Sequence, residues 1–204
     1  MRPLGLADLL PVLVALVVAA TVHEFAHAFV ADRLGDPTPR SRGRLTLNPL
    51  AHLDPVGSLM ILLFRFGWAK PVEINPARFR DPRRGTILVA VAGPLANVTL
   101  LFVLGVPYKA GLMDPGGTVF DPFLLTTIWI NAMLAVFNLI PVPPLDGSKI
   151  VLGLLPPAWA ARYARLHPLG VLVLLALVLT NAVAGVVLVP MRWLMAQATG
   201  GGIF

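Results

Sequence analysis

The sequence predicts an all-α polytopic membrane protein with about four full transmembrane helices and two short re-entrant or interfacial segments. Composition is the first reason, because 57% of the 204 residues are hydrophobic and 13% are charged, whereas soluble domains are about 45–50% apolar and about 25% charged. The second reason is that long apolar runs alternate with basic, proline-rich stretches. For a chain of this length we expect a single domain that covers residues 1–204.

Four apolar runs approach or exceed the roughly 20 residues that a spanning helix needs. The first ends at Gly35, Asp36 and Pro37, which are typical helix-stop residues. Its apolar character continues well beyond Ala20, so we expect an uncleaved first helix and not a signal peptide. The four predicted spans cover residues 6–34, 85–108, 122–140 and 168–194.

Two further apolar segments are too short to cross a bilayer. They cover residues 56–66 and 145–155, about half of the length that a span requires. We therefore expect both to re-enter the membrane or to lie at its surface. The sequence also allows a small β element near Arg44–Val72, around the first of these segments.

The basic residues predict the orientation in the membrane. If the short segments do not cross, twelve of the 16 Lys and Arg residues fall on one side, three fall on the other, and Arg65 lies within the segment 56–66. Loops rich in Lys and Arg stay in the cytoplasm. The pattern therefore predicts cytoplasmic basic loops, both termini outside, and a first helix that carries His23 toward the cytoplasmic side.

Composition also excludes several kinds of site. The chain has no cysteine, so disulfides, thiolate zinc sites and a cysteine nucleophile are ruled out. The net charge of +6 is explained by the positive-inside pattern, and we expect the lipid bilayer and no nucleic acid as a partner.

A short motif in the first helix carries the chemistry. His23-Glu24-Phe25-Ala26-His27 matches H-E-x-x-H, a spacing that stacks both imidazoles on one helix face. The pair can bind one zinc ion while Glu24 activates a water. Ionisable residues are costly inside an apolar helix and therefore indicate function. The alternatives are a polar cluster that packs two helices and a proton relay.

A catalytic zinc usually has three protein ligands and one open position, so another ligand must come from elsewhere. Asp146 is the best candidate, because it follows the proline-rich run that ends a predicted span on the same side as His23. The prolines free backbone groups that must line protein or a cavity. The alternative is an ordinary turn aspartate.

These residues resemble the site-2 protease family of intramembrane zinc metalloproteases. Besides the histidine motif, the chain contains Asn-Leu-Ile-Pro-Val-Pro-Pro-Leu-Asp-Gly at residues 138–147, similar to the family's N-x-x-P-x-P-x-L-D-G. Residues 92–97 are similar to its G-P-x-x-N element, and residues 48–55 and 67–72 are similar to compact bacterial and archaeal members. The resemblance covers nearly the whole chain.

The resemblance implies one zinc ion per chain, held by His23, His27 and Asp146, with Glu24 as general base. It further implies that Asn138 steadies the scissile carbonyl or its oxyanion and that Asn97 helps to hold an unwound substrate. We expect a compact member without a PDZ or CBS domain. Its expected place is a prokaryotic cell (inner) membrane, with the active site toward the cytoplasm.

The function expected from this resemblance is hydrolysis of peptide bonds in or near transmembrane segments of membrane proteins, that is, regulated intramembrane proteolysis. Two alternatives stay open: a proton- or ion-coupled transporter that uses the ionisable residues as a relay, and a catalytically silent membrane scaffold. His52 is a candidate accessory ligand. Its competing interpretation is a loop histidine that hydrogen-bonds Asp54 or the backbone.

Overall fold

A computed structural model describes residues 6–64, 68–112, 120–180 and 182–201. Both chain termini, whose side of the membrane the charge pattern predicts, and the end of the short segment 56–66 lie outside these residues. Within the described part, the regular secondary structure consists of helices and one isolated β-bridge. Its α-helices are α1 Leu6–Arg33, α2 Thr38–Ser41, α3 Pro55–Phe64, α4 Pro82–Lys109, α5 Phe120–Asn138, α6 Asp146–Leu154, α7 Pro157–Ala164, α8 Gly170–Leu179 and α9 Ala182–Thr199.

The helices α1, α4 and α5 pack against one another and form the centre of the fold. Small residues allow α1 to approach α5 closely, since Ala15 and Ala19 are fully buried against Ile130. On the other side of α5, α9 closes the bundle. The buried cluster that joins α4, α5 and α9 consists of Leu101, Ile128, Ala132, Met191, Met195 and Ala198.

The prediction of one continuous last span over residues 168–194 was wrong. The structure has two helices there, α8 and α9, and they lie side by side, because Leu174 and Val187 belong to one buried cluster. In a straight helix those residues would be about 20 Å apart. The polar Thr180 follows the end of α8, where its hydroxyl donates to the Ala176 carbonyl at 2.7 Å, a local bond that competes with helix continuation.

Among the described residues, three helical segments are long and apolar enough to cross a membrane: Leu10–Arg33, Pro82–Lys109 and Pro157–Leu177. The α5 region contributes a shorter apolar helix, Phe123–Asn138. The helices α3 and α6 have 10 and 9 residues, too few to span, as expected for the two short segments. The count of four spans and the re-entry of these segments stay predictions.

The region between Arg44 and Val72 forms an isolated antiparallel bridge, Leu53 to Ala69, and no strand within the residues described there. The Lys70 amide donates to the His52 carbonyl at 2.8 Å. Beyond this bond, the buried Arg44 guanidinium donates to the carbonyls of Ala51 and Lys70 in place of backbone amides. A side chain therefore satisfies backbone groups that a longer ladder would have paired.

Candidate metal centre

Three side chains from two distant parts of the chain converge beside α4. His23 and His27 lie one turn apart on α1, with their ring centroids 4.6 Å apart. The Asp146 Oδ2 atom lies 3.0 Å from His23 Nε2 and 3.1 Å from His27 Nε2. All three residues are buried, and their ligand atoms lie within 4.8 Å of one another. The structure thus brings together the three residues that the sequence analysis chose as metal ligands.

Asp146 reaches the histidines from the segment 139–147, which we call the aspartate turn. Its position depends on close packing, because a Cβ atom on Gly147 would lie only 2.3 Å from the Leu139 carbonyl oxygen. Ile140 and Leu145 anchor the turn in a buried cluster. The second carboxylate oxygen, Oδ1, accepts a hydrogen bond from Lys149 Nζ at 2.9 Å. Lys149 thereby holds Oδ1 on the side away from the histidines, while Oδ2 faces the two imidazoles.

Hydrogen bonds to the Nδ1 atoms define the tautomers of both rings. His27 Nδ1 lies 2.7 Å from the Val89 carbonyl oxygen, which can only accept, so Nδ1 carries the proton. His23 Nδ1 lies 2.6 Å from Asn97 Oδ1. The Asn97 amide cannot face the other way, because its Nδ2 already donates to the Ala19 carbonyl at 3.0 Å. In both neutral rings, Nε2 therefore carries the lone pair.

This arrangement fits a cation. Two imidazole lone pairs and a carboxylate oxygen, all acceptors, face one another at 3.0 and 3.1 Å, and a positive ion between them would remove the repulsion. Two His and one Asp form a donor set that suits zinc, and they leave a fourth position open. The edge of a tetrahedral site with zinc bonds of about 2.0–2.1 Å measures about 3.3 Å, close to the observed separations.

Gly93 on α4 provides the room for these ligands. A Cβ atom at this position would lie 2.5 Å from the Nε2 atoms of both His23 and His27, well inside van der Waals contact. Pro94 follows within the helix, and both residues are buried. In the sequence, this pair belongs to the segment 92–97, which is similar to the family's G-P-x-x-N element. The structural reason for a glycine could not be read without knowing which face of α4 meets α1.

Glu24 is not one of the three converging residues. It lies next to His23 on α1, is half-buried, and its Oε2 accepts the backbone N–H of Val72 at 2.9 Å. This bond comes from the extended chain that follows Ala69, a contact that the sequence did not predict. It holds the carboxylate on α1 beside the histidines, and no hydrogen bond to Oε1 is formed within the part of the chain that the structure describes.

The remaining site residues have the following places. Asn138 ends α5, is half-buried, and donates through Nδ2 to the Leu134 carbonyl at 3.0 Å. Asn97 is fully buried and contacts His23, with no surface open to a substrate. His52 is buried outside the three-residue group, and its Nε2 donates to the Thr46 carbonyl at 2.8 Å. The backbone bond of His52 thus agrees with a loop-ordering role.

Comparison with known proteins identifies the family. The chain is 42% identical over 180 residues to YwhC of Bacillus subtilis (strain 168), a protein named as a zinc metalloprotease, with 85% of this chain and 82% of YwhC covered. The sequence model of Peptidase family M50 matches residues 110–180. The chain belongs to peptidase family M50. This confirms the resemblance to the site-2 proteases and, with the apolar helices, identifies an integral membrane protein.

Other M50-type relatives are more distant. Rip2 of Mycolicibacterium smegmatis (strain ATCC 700084 / mc(2)155), also named as a zinc metalloprotease, is 31% identical over 187 residues, which cover 89% of this chain and 71% of Rip2. The zinc metalloprotease MJ0392 of Methanocaldococcus jannaschii is 26% identical over 142 residues, covering 70% of this chain and 33% of that protein. No solved structure matches the chain.

Proposed function

We propose that this M50 protein is an intramembrane zinc metalloprotease that hydrolyses peptide bonds in or near transmembrane segments of membrane proteins. The observation that carries the proposal is the convergence of His23, His27 and Asp146, since Asp146 is separated from His27 by 119 positions in the sequence. Two histidines alone would also suit a helix-packing cluster. A buried carboxylate facing two Nε2 lone pairs favours a metal centre.

The proposed cofactor is one zinc ion per chain, held by those three residues. Bound there, zinc acts as a Lewis acid that makes a water nucleophilic at neutral pH and polarises the substrate carbonyl. The protein's own part is orientation. The Nδ1 hydrogen bonds to Asn97 and Val89 and the Lys149 contact with Asp146 orient all three ligands.

Glu24 is the proposed general base. Its carboxylate takes a proton from the attacking water and delivers it to the leaving amine. The Val72 N–H bond at 2.9 Å fixes one oxygen, so the other is directed for proton transfer. Asn138 is the proposed donor to the substrate carbonyl or its oxyanion. To reach it, the Asn138 amide must leave the Leu134 carbonyl that it now contacts.

A transmembrane helix protects its peptide bonds by internal hydrogen bonds. The substrate must therefore unwind locally, and helix-weakening residues such as Gly or Pro near the cut favour this. The proposed location is a prokaryotic cell (inner) membrane, with the site toward the cytoplasm and both termini outside, which the distribution of Lys and Arg supports. Because the chain has no cysteine, single introduced cysteines can map each side by labelling.

Metal stoichiometry of the purified protein is the first test of the proposal. About one zinc per chain is expected for the wild type, with loss in both His23→Ala and Asp146→Ala. His167→Ala is the matched control, since His167 is exposed in a separate turn. Metal-free wild type, prepared with zinc present, would remove the basis of the site and favour the transporter alternative.

Cleavage of a membrane-embedded substrate separates the protease from a silent scaffold. Glu24→Gln is expected to keep its zinc, because Glu24 is not a ligand, and to lose at least about 100-fold in cleavage rate, the contribution of a general base. A Glu24→Gln protein that cleaves at the wild-type rate would exclude Glu24 as the base. A wild type that holds zinc and cleaves nothing would favour the scaffold.

A further inference from the structure

A buried amide on α5 extends the hydrogen-bond chain that begins at His23. Asn131 is fully buried, and its Oδ1 accepts a hydrogen bond from Asn97 Nδ2 at 2.9 Å. Its own Nδ2 donates to the Thr127 carbonyl, one turn earlier on the same helix, at 2.8 Å. The chain of contacts therefore runs from α1 through α4 to α5.

The direction of every bond in this chain is determined by its two ends. The carbonyl oxygens of Thr127 and Ala19 can only accept. Asn131 must therefore turn its NH2 toward Thr127 and its oxygen toward Asn97. Asn97 in turn must direct its NH2 toward Asn131 and Ala19 and its oxygen toward His23. One consistent arrangement results, and in it His23 Nδ1 is the donor.

We propose that Asn131 is a positioning residue for the metal centre. Together with the Ala19 carbonyl, Asn131 holds the Asn97 amide in one orientation, which keeps the proton of His23 on Nδ1 and the lone pair of Nε2 directed toward Asp146. The proposal concerns the tautomer of a ring in this chain. It rests on the proposed function only for its consequence, a tighter zinc site.

The Nδ1 atoms of the two histidines donate to different kinds of acceptor. His27 Nδ1 donates straight to the Val89 carbonyl, a backbone acceptor that no side-chain substitution on α5 removes. His23 instead depends on the Asn97 side chain, whose NH2 group is held by the Ala19 carbonyl and by Asn131. Loss of Asn131 should therefore disturb His23 and leave His27 unchanged, which provides a control within the same molecule.

Three variants separate positioning from simple packing. Asn131→Leu keeps the branched shape and removes both polar groups. Asn131→Asp keeps an oxygen facing Asn97, and in its protonated form it also donates to the Thr127 carbonyl. Thr127→Val is the matched control. It removes a buried hydroxyl of α5, which donates to the Phe123 carbonyl at 2.7 Å. It retains the backbone carbonyl of residue 127, which accepts the hydrogen bond from Asn131.

The first measurement is histidine tautomer state by 15N NMR on metal-free protein at a pH where the imidazoles are neutral. Wild type and Thr127→Val are expected to show His23 protonated on Nδ1, whereas Asn131→Leu should show a mixture of tautomers, with His27 unchanged. If His23 stays on Nδ1 in Asn131→Leu, the proposal is overturned. Should that variant not fold, Asn131→Ala decides, because it removes the same acceptor in a smaller side chain: a mixture of tautomers supports the proposal and retention of the Nδ1 proton overturns it.

The second measurement is zinc affinity by competition with a chelator. Asn131→Leu is expected to bind about 10–100-fold more weakly, the usual effect of removing support for a ligand, and Asn131→Asp should recover most of the loss. Equal affinities in wild type and Asn131→Leu would defeat this inference alone. A wild type that binds no zinc would defeat the proposed function and leave the NMR result standing.

Discussion

The two halves of the metal centre are built in different ways. The histidines stand one turn apart on the continuous helix α1, so their spacing follows from helical geometry alone. Asp146 stands at the end of the aspartate turn, as the first residue of α6, and depends on the Gly147 contact, a buried cluster and Lys149. The histidines depend on the space that Gly93 of α4 leaves for their rings, whereas Asp146 depends on the backbone conformation of its own turn.

This difference predicts two kinds of failure. Damage to the histidine half should come from α4, where Gly93 and Asn97 touch the rings. Damage to the aspartate half should come from within the turn itself. In both cases zinc affinity is the informative measurement, because the ligands themselves would remain in the sequence.

The largest effect is expected from Gly93→Ala. Its methyl group would overlap both Nε2 atoms at 2.5 Å and displace two ligands at once, so zinc binding and cleavage should fall by at least about 100-fold. Gly185→Ala is the matched control, since a Cβ atom there meets nothing within 4 Å. Wild-type zinc affinity in Gly93→Ala would contradict the geometry of the histidine half.

Gly147→Ala should have the second largest effect. Its Cβ atom would lie 2.3 Å from the Leu139 oxygen and 2.5 Å from the Ile140 oxygen, and backbone atoms cannot turn aside as a side chain can. We expect the turn to shift and zinc affinity to fall about 10–100-fold, with the histidine tautomers unchanged by NMR. A change in the His23 tautomer would show that the two halves are not independent.

Zinc should join the two halves and thereby stabilise the fold. At a free zinc concentration of about 100 times the dissociation constant, the expected gain is about 2.7 kcal/mol in the free energy of unfolding. Thermal unfolding in zinc-buffered detergent measures it. Asp146→Ala should show almost none of this gain, while Gly185→Ala should show all of it. An equal gain in Asp146→Ala would mean that zinc binds elsewhere.

The smallest effect on the metal centre is expected from Asp36→Asn, although it should weaken the fold. Asp36 is fully buried just after α1 and accepts hydrogen bonds from Asn75 and Thr38. Asparagine replaces one of the two acceptor oxygens with an NH2 group, so a buried donor loses its partner, which should cost about 1–3 kcal/mol in the free energy of unfolding. Zinc affinity should stay within about twofold of wild type, because no contact joins this group to the ligands. A larger loss of affinity would argue against that separation.

The same substitution has a defined pH dependence. Burial alone would raise the pKa of Asp36, but the hydrogen bonds from Asn75 and Thr38 outweigh it and hold the pKa below its ordinary value. The contribution to stability is therefore present above the unfolded-state pKa and is lost as pH falls through the lower folded-state pKa. The stability difference between wild type and Asp36→Asn should narrow as pH is lowered. A constant difference would contradict the shift.

Several features of the fold were predictable because they depend on the length and residue types of a single segment of the chain. The long apolar run ending at Gly35 predicted α1, and the lengths of segments 56–66 and 145–155 predicted helices too short to span. The break between α8 and α9 was missed, because apolar residues continue on both sides of Thr180 and hydropathy hardly changes there. Only the packing of Leu174 against Val187 reveals it.

By itself, the sequence determined the membrane class through its composition and the histidine pair through helical spacing, and it singled out Asp146 as the partner. These depend on periodicity and residue type, which are present in the chain before it folds. Tertiary structure decided why residue 93 must be glycine, what orients His23, and which backbone group holds Glu24. Such contacts join helices far apart in the sequence, and their rotation and depth against one another follow from packing across the whole bundle.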